Sequence, residues 1–236
     1  MVTGSARLDY YRKGGDSLLG RYYYHRLHPL ILVEIGAQRD IEHLLKFSGF
    51  PEPFLLGDDI QLKRWHRQRR ERVIYTDIRD LENIREISMI EILIDALAPR
   101  VGSPRIRAVK KEQKLYLWDW SEHADWGKRW ENFVASHLLK YCHFIEDTKG
   151  DKMELRFLRD TDKREIDFVV LKNNNPLFAV ECKAGEKSLS PHIQYFSERT
   201  SIPALYQVHS GVAHRQISKK ISLLPFAEFC TEVGLI

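Results

Sequence analysis

The chain has 236 residues, 43% of them hydrophobic and 11% aromatic, which is apolar material for one large core or two modest ones. It has no apolar run of about eighteen residues and no basic-then-apolar start, so a membrane span and an exported precursor are not expected and the cytoplasm is the expected location. A net charge of +4 and a pI near 8.9 permit nucleic-acid contact without demanding it, and three dispersed cysteines without CxxC spacing argue against a disulfide framework or a structural zinc.

Residues 1–36 read as strand, loop and strand, with Gly14-Gly15 punctuating the loop and Arg21 to Leu32 aromatic and aliphatic around Pro29. The opening at Val2-Thr3-Gly4-Ser5 lacks the sheet neighbours such a strand needs. A fragment is therefore expected, either missing elements upstream or pairing with the rest of the chain.

Residues 37–104 turn helical. The clearest stripe is Ile78, Leu81, Ile84, Ile87, Glu91, Leu93, Ile94 and Leu97, near the i, i+3, i+4 spacing of one buried face. The basic run from Lys63 to Arg72 is read first as a solvated helix face with Trp65 packed inward, and second as a surface facing nucleic acid. Pro99, Gly102, Ser103 and Pro104 break the pattern and set a domain boundary.

Residues 105–236 alternate between the two periods. A strand is predicted around Lys114 to Trp118, then a helix with the stripe Trp130, Phe133, Val134, His137, Leu138 and Tyr141. Strands follow at 154–159, 165–171 and 177–184, then a helix near 193–199, a strand at 204–209 and a short terminal helix.

The chemistry concentrates in one predicted hairpin. Glu165-Ile166-Asp167-Phe168-Val169-Val170-Leu171 and Leu177-Phe178-Ala179-Val180-Glu181-Cys182-Lys183 flank a turn cluster of asparagines and Pro176. Centred on Asn174, the register sets Leu171 opposite Leu177, Val169 opposite Ala179, Asp167 opposite Glu181 and Glu165 opposite Lys183, all on one face. Two carboxylates about 5 Å apart at their β-carbons repel, and either a proton or a bridging divalent cation relieves this. Oxygen ligands suit magnesium, which keeps waters for a substrate phosphate. Lys183, two residues past Glu181, is placed to orient or activate a water and to stabilise developing charge. The competing reading is a solvated sheet with a Glu165–Lys183 ion pair. The apolar neighbours Val169, Leu171, Leu177 and Ala179 argue instead for carboxylates at the polar end of a buried layer.

An acidic helix residue, then Asp, then Glu-x-Lys is the ordered pattern of the PD-(D/E)xK phosphodiesterase superfamily, and here it reads Glu131, Asp167, Glu181-Cys182-Lys183. More narrowly, Trp130 to Val134, Arg164 to Val169 and Glu181 to Lys183 resemble the "domain of unknown function 4143" that follows an AAA+ ATPase module in a prokaryotic family. Asp77 to Leu81 and Lys114 to Asp119 extend the resemblance over nearly the whole chain. It implies a restriction-endonuclease-like mixed sheet flanked by helices in 105–236, a mostly helical region before it and an ATPase-like fragment in 1–36. It also implies a catalytic set of Glu131, Asp167, Glu181 and Lys183, with magnesium on Asp167 and Glu181 and Glu131 assisting from the helix. His192 and Gln194 stand where some members carry another polar group, although an exposed helix face is the first reading for both.

Val2 to Ala6 and Gly20-Arg21 are similar to the end of the ATPase module, with Ser5 and Arg21 read first as a turn residue and a surface charge. No GxxxxGK[ST] occurs, so ATP binding by this chain alone is not expected. The family's winged-helix-like segment is also short here. The chain reads as a member shortened at the front and in the middle. Two function classes follow: a magnesium-dependent nuclease acting on nucleic acid, or a non-catalytic interaction or regulatory module, the latter reading shading into a relic of a longer ATP-binding protein. Expected partners are nucleic acid and an ATPase chain or a second copy of this one.

Overall fold

The computed structural model describes residues 23, 25–36, 40–73, 104–105 and 113–235. The stripe from Ile78 to Leu97, the breaker at 99–103, Gly14-Gly15, Ser5 and Arg21 lie outside the described residues. Three short helices come first: α1 (Ile41–Phe47), α2 (Pro51–Leu56) and α3 (Asp59–Arg72). Asp40 and Asp58 start α1 and α3, each carboxylate accepting from two of the first free backbone N–H groups. In α3 the basic run divides. Arg67 stays outside and pairs with Glu71, while Arg69 and His66 turn inward to the buried Asp119, at 3.4 and 3.3 Å. Burial alone would raise the Asp119 pKa, but hydrogen bonds from His66, Ser121 and Ser48 outweigh it and hold it low.

The strand expected at Arg21 to Leu32 is not formed in residues 25–32. They run as an arm along a long helix, α4 (Trp126–Lys149). The helix supplies the partners a sheet neighbour would have given. The Leu32 N–H donates to His137 Nε2 at 3.0 Å, Lys140 donates to the Pro29 carbonyl at 3.2 Å, and Arg26 pairs with Glu146 at 2.8 Å.

A two-residue ladder, β1 (Pro104–Arg105) with β2 (Gln113–Lys114), and a 3-10 turn at Trp120–Glu122 precede α4. Beyond β2 the strand expected to reach Trp118 does not continue, because residues 115–118 turn their polar groups to α4: the Leu117 N–H donates to the Asn132 side chain and Asn132 donates back to the Leu117 carbonyl. Asp125 caps the start of α4 and Gly150, at φ 72°, closes its end in the left-handed region. Trp130, Phe133, Val134, His137 and Leu138 of the expected stripe are buried, as the helical period requires.

A mixed six-stranded sheet follows, built from β3 (Met153–Arg159), β4 (Glu165–Lys172), β5 (Asn175–Lys183), β6 (Leu205–His209), β7 (Arg215–Gln216) and β8 (Ile221–Pro225), with α5 (Pro191–Arg199) after β5 and α6 (Phe226–Glu232) at the end. The order is β3-β4-β5-β6-β8-β7. The β3, β4 and β5 strands are antiparallel; β5, β6 and β8 are parallel; β7 returns antiparallel on β8. Every residue of β6 and β8 is buried, as parallel strands covered on both faces should be. Helices α4 and α6 cover one face through Phe168, Val170, Phe178, Val180, Tyr206 and Phe229. Helix α5 covers the other with Ile193 and Phe196 on Ile166, Val169, Ala179, Leu205 and Ile221. Ile31, Leu32, Leu44 and Leu45 join Trp120 and Phe133 in the α4-side core, so segments 25–36 and 40–73 share that core.

Asn173 and Asn174 have φ of 51° and 67°, the two left-handed positions of a two-residue hairpin turn. Asn tolerates that conformation and Ala does not. Asn174→Ala is therefore expected to cost about 1 kcal/mol, read as a lower urea midpoint at unchanged slope. Among the described residues no helix is long and apolar enough to cross a membrane.

Candidate functional site: a carboxylate cluster where β4 and β5 part

Three pairs of the β4–β5 ladder, Phe168 with Val180, Val169 with Ala179 and Val170 with Phe178, keep the expected register. Toward the turn it shifts, pairing Leu171 with Pro176, so Leu177 packs on the α4 side and Leu171 on the α5 side. Toward the other end, β3 advances from Arg156 to Leu158 while β4 retreats from Val169 to Ile166. The extra β4 residue is a bulge at Asp167-Phe168, which re-aims side chains there. The single face expected for Glu165, Asp167, Val169 and Leu171 is thus broken: Val169 and Leu171 pack under α5 while Glu165 and Asp167 meet residues held by α4.

The β4–β5 ladder ends at Phe168 and Val180, so the expected Asp167–Glu181 pair is not formed and Asp167 lies beyond the last pair, where the bulge in β4 displaces it. Its Oδ2 accepts from the Cys182 N–H at 2.8 Å, taking the slot of a ladder bond between Glu181 and Lys183. Glu181 and Lys183 alternate with Val180 and Cys182, which pack toward α4. The Lys183 ammonium donates to Glu181 Oε1 at 2.7 Å, and Glu181 Oε2 is buried with no partner. The Glu165–Lys183 pair is not formed. Glu165 instead takes Arg159, whose Nε lies 2.6 Å from Oε2, because the bulge swings it toward β3.

Glu131, from the second turn of α4, accepts from the Tyr116 hydroxyl at 2.7 Å and from the Lys114 ammonium at 3.2 Å. The same ammonium lies 2.5 Å from Glu165 Oε1 and 3.7 Å from Asp167 Oδ1, with its side chain only 4% exposed. Lys114 was anticipated only as the start of a strand. A lysine leading the aromatic run Leu115-Tyr116-Leu117-Trp118 was the available signal, since such a residue near a core needs an anionic partner. His192 Nδ1 lies 3.1 Å from the Glu165 carbonyl, whereas Gln194 is exposed on α5.

The electrostatics follow from this crowding. Burial raises the Asp167 pKa to about 7, helped by the charges of Glu181 and Glu131 and opposed by Lys114 and the Cys182 N–H. Burial works against the Lys183 ammonium, yet its bond to Glu181 and the charge of Asp167 raise its pKa. Lys183 is therefore a cation that can steady negative charge or give up a proton, rather than a ready base.

The donor set fits a hard divalent cation. Glu181 keeps a buried lone-pair oxygen without a partner, Asp167 is a second carboxylate near enough for the charge of Glu181 to raise its pKa, and magnesium asks for one or two carboxylates with waters completing its shell. Among the described residues, no group of three or more His, Cys, Asp or Glu side chains is arranged to hold a metal ion. Three carboxylates, Glu131, Glu165 and Asp167, instead gather round the Lys114 ammonium. Cys142 and Cys230 are buried and Cys182 partly so, and none of the three is joined in a disulfide.

No curated protein and no solved structure matches the chain. Residues 126–229, which run from α4 into α6 and carry Glu131, Asp167, Glu181 and Lys183, match the model of the family described as "Domain of unknown function (DUF4143)".

Proposed function

We propose that this chain is a restriction-endonuclease-like domain of the PD-(D/E)xK type, a magnesium-dependent phosphodiesterase acting on nucleic acid. The observation that carries the reading is the buried, unpartnered Glu181 Oε2, on a carboxylate whose charge raises the Asp167 pKa and whose other oxygen accepts from the Lys183 ammonium. Asp167 and Glu181 would hold the ion, which supplies Lewis-acid polarisation of a phosphate oxygen and of bound water. Lys183, bonded to Glu181, would stabilise the charge gathering on the phosphorus centre. Glu131 positions Lys114 and, through it, Asp167. The resemblance of Val2 to Ala6 and Gly20-Arg21 to the end of an ATPase module makes an AAA+ ATPase chain the partner this reading implies.

Lys183→Ala is expected to lower magnesium-dependent nicking of duplex DNA or of RNA by at least about a hundredfold, the usual size of losing one charge-stabilising group. Lys183 is the ion-pair partner of the buried Glu181, so Lys183→Ala is also expected to lower the metal-free melting temperature by roughly 6 to 20 °C, and cleavage is compared at a temperature where both proteins stay folded. Equal cleavage by both proteins across magnesium and manganese overturns the proposal. A second reading, a non-catalytic interaction module, draws on Lys114, whose ammonium already neutralises part of the cluster. It expects a melting temperature indifferent to divalent cations.

A further inference from the structure

Lys114 is not a surface lysine that happens to touch an acid. It comes from β2, outside the main sheet, and its ammonium lies among three carboxylates drawn from two elements: Glu131 of α4, and Glu165 and Asp167 of β4, at 3.2, 2.5 and 3.7 Å. The Phe157 ring lies 5.5 Å from the same ammonium. The segment behind it is fixed to α4 twice. Tyr116 donates to Glu131, and the Leu117 backbone makes both hydrogen bonds to the Asn132 amide at 2.7 and 2.8 Å. Asn132 is fully buried. The lysine therefore approaches along a held path, and its stem pays little ordering entropy at the moment of use.

We propose that the Lys114 ammonium stands in the place of a second metal ion, as a tethered cation that restricts the site to a single divalent ion at Asp167 and Glu181. This rests on the metal reading above and deepens it. Glu131, Glu165 and Asp167 offer oxygen ligands of the kind two-metal phosphodiesterases use to clamp both the attacking and leaving oxygens. Here Glu131 and Glu165 each give an oxygen to the ammonium and Asp167 stands at ion-pair distance from it, and an ammonium donates hydrogen bonds but coordinates neither water nor phosphate. Lys114 is a positioning residue in this scheme. It holds Glu131, Glu165 and Asp167 together, and its fixed charge spares the cluster a second ion.

The test counts ions. Manganese titrated calorimetrically into the full chain is expected to bind one more ion per chain in Lys114→Met than in wild type, and no more than wild type in Lys114→Arg, which keeps the cation. Equal counts and equal affinities for Lys114→Met and wild type overturn the proposal. The wild-type count, one or none, reports separately on the Asp167–Glu181 site, so failure there is distinguishable from failure here. If metal-free Lys114→Met is unfolded, the proposal expects manganese to refold it, followed by circular dichroism, and expects the further change Glu165→Gln to block that rescue. A variant that stays unfolded in millimolar manganese, or refolds equally well in sodium chloride, overturns it too.

Discussion

Divalent-metal affinity is expected to weaken about tenfold for each pH unit below about 7 and to level off above it, because a metal ligand must first give up its proton. The group responsible is Asp167, whose pKa burial lifts to about 7, with the charges of Glu181 and Glu131 adding to the effect. In an unfolded chain an aspartate titrates near 3.9. Between those values the metal-free folded protein holds a proton that the unfolded chain releases, so its stability falls as pH rises through the window and is greatest below about 4. The slope approaches about 1.4 kcal/mol per pH unit where this group dominates. Bound metal reverses the trend, since the ion and the proton compete for one carboxylate. Asp167→Asn keeps an oxygen to accept the Cys182 N–H while removing the charge. In that variant the metal-free slope between pH 4 and 7 should flatten, and the rise in melting temperature with manganese should vanish. A variant that keeps both the slope and the manganese response would show that Asp167 is not the linked group.

The part of this arrangement that could be read in the sequence is the part fixed by local chemistry. The asparagine cluster between two β-branched runs announced a hairpin, and three ladder pairs, from Phe168–Val180 to Val170–Phe178, follow the register expected from it. The helical stripe of α4 was legible for the same reason, a strict period over a long segment. The faces of the hairpin were not. The turn proper is Asn173-Asn174, so β5 absorbs an extra residue near Pro176, and β4 absorbs one at Asp167-Phe168. Neither bulge carries a glycine to announce it, and both faces of the sheet are buried, so alternation offered no polar side to count from. The short strand β8 escaped because five residues containing Ile221, Leu223 and Leu224 are too few to separate strand from helix. Lys114 lay beyond local reasoning altogether: its partners are seventeen and more residues away, and only the packed chain brings them to it.

Trp120→Ala is expected to destabilise the protein by about 3–5 kcal/mol, as deletion of a fully buried large side chain does, and to lower the melting temperature by roughly 6 to 20 °C for a chain of this size. Trp120 has no exposed surface. Its ring lies edge-on to Phe133 at 5.1 Å, and its indole N–H donates to the Leu44 carbonyl at 3.1 Å, so one side chain joins α4 to α1. The fit is close enough that a β-carbon at Gly49 would stand 2.6 Å from the ring and 2.5 Å from the Leu30 carbonyl. Beside it, Asp119 gathers Arg69 and His66 from α3, so the same turn also anchors the third helix. Removing the ring leaves the Leu44 carbonyl without its donor and opens a cavity that α1 and the 29–32 arm cannot fill without moving. Hydrogen exchange separates the two consequences. Amides of α1 should lose protection far more than those of β4 and β5, because the hairpin draws its packing from Phe168, Val170, Phe178 and Val180 rather than from Trp120. If protection falls equally everywhere, the helices and the sheet unfold as one unit, and the carboxylate gap depends on the α1–α3 layer for its shape. If α1 alone loosens, manganese binding at Asp167 should survive the substitution, and the metal site belongs to the sheet and α4 by themselves.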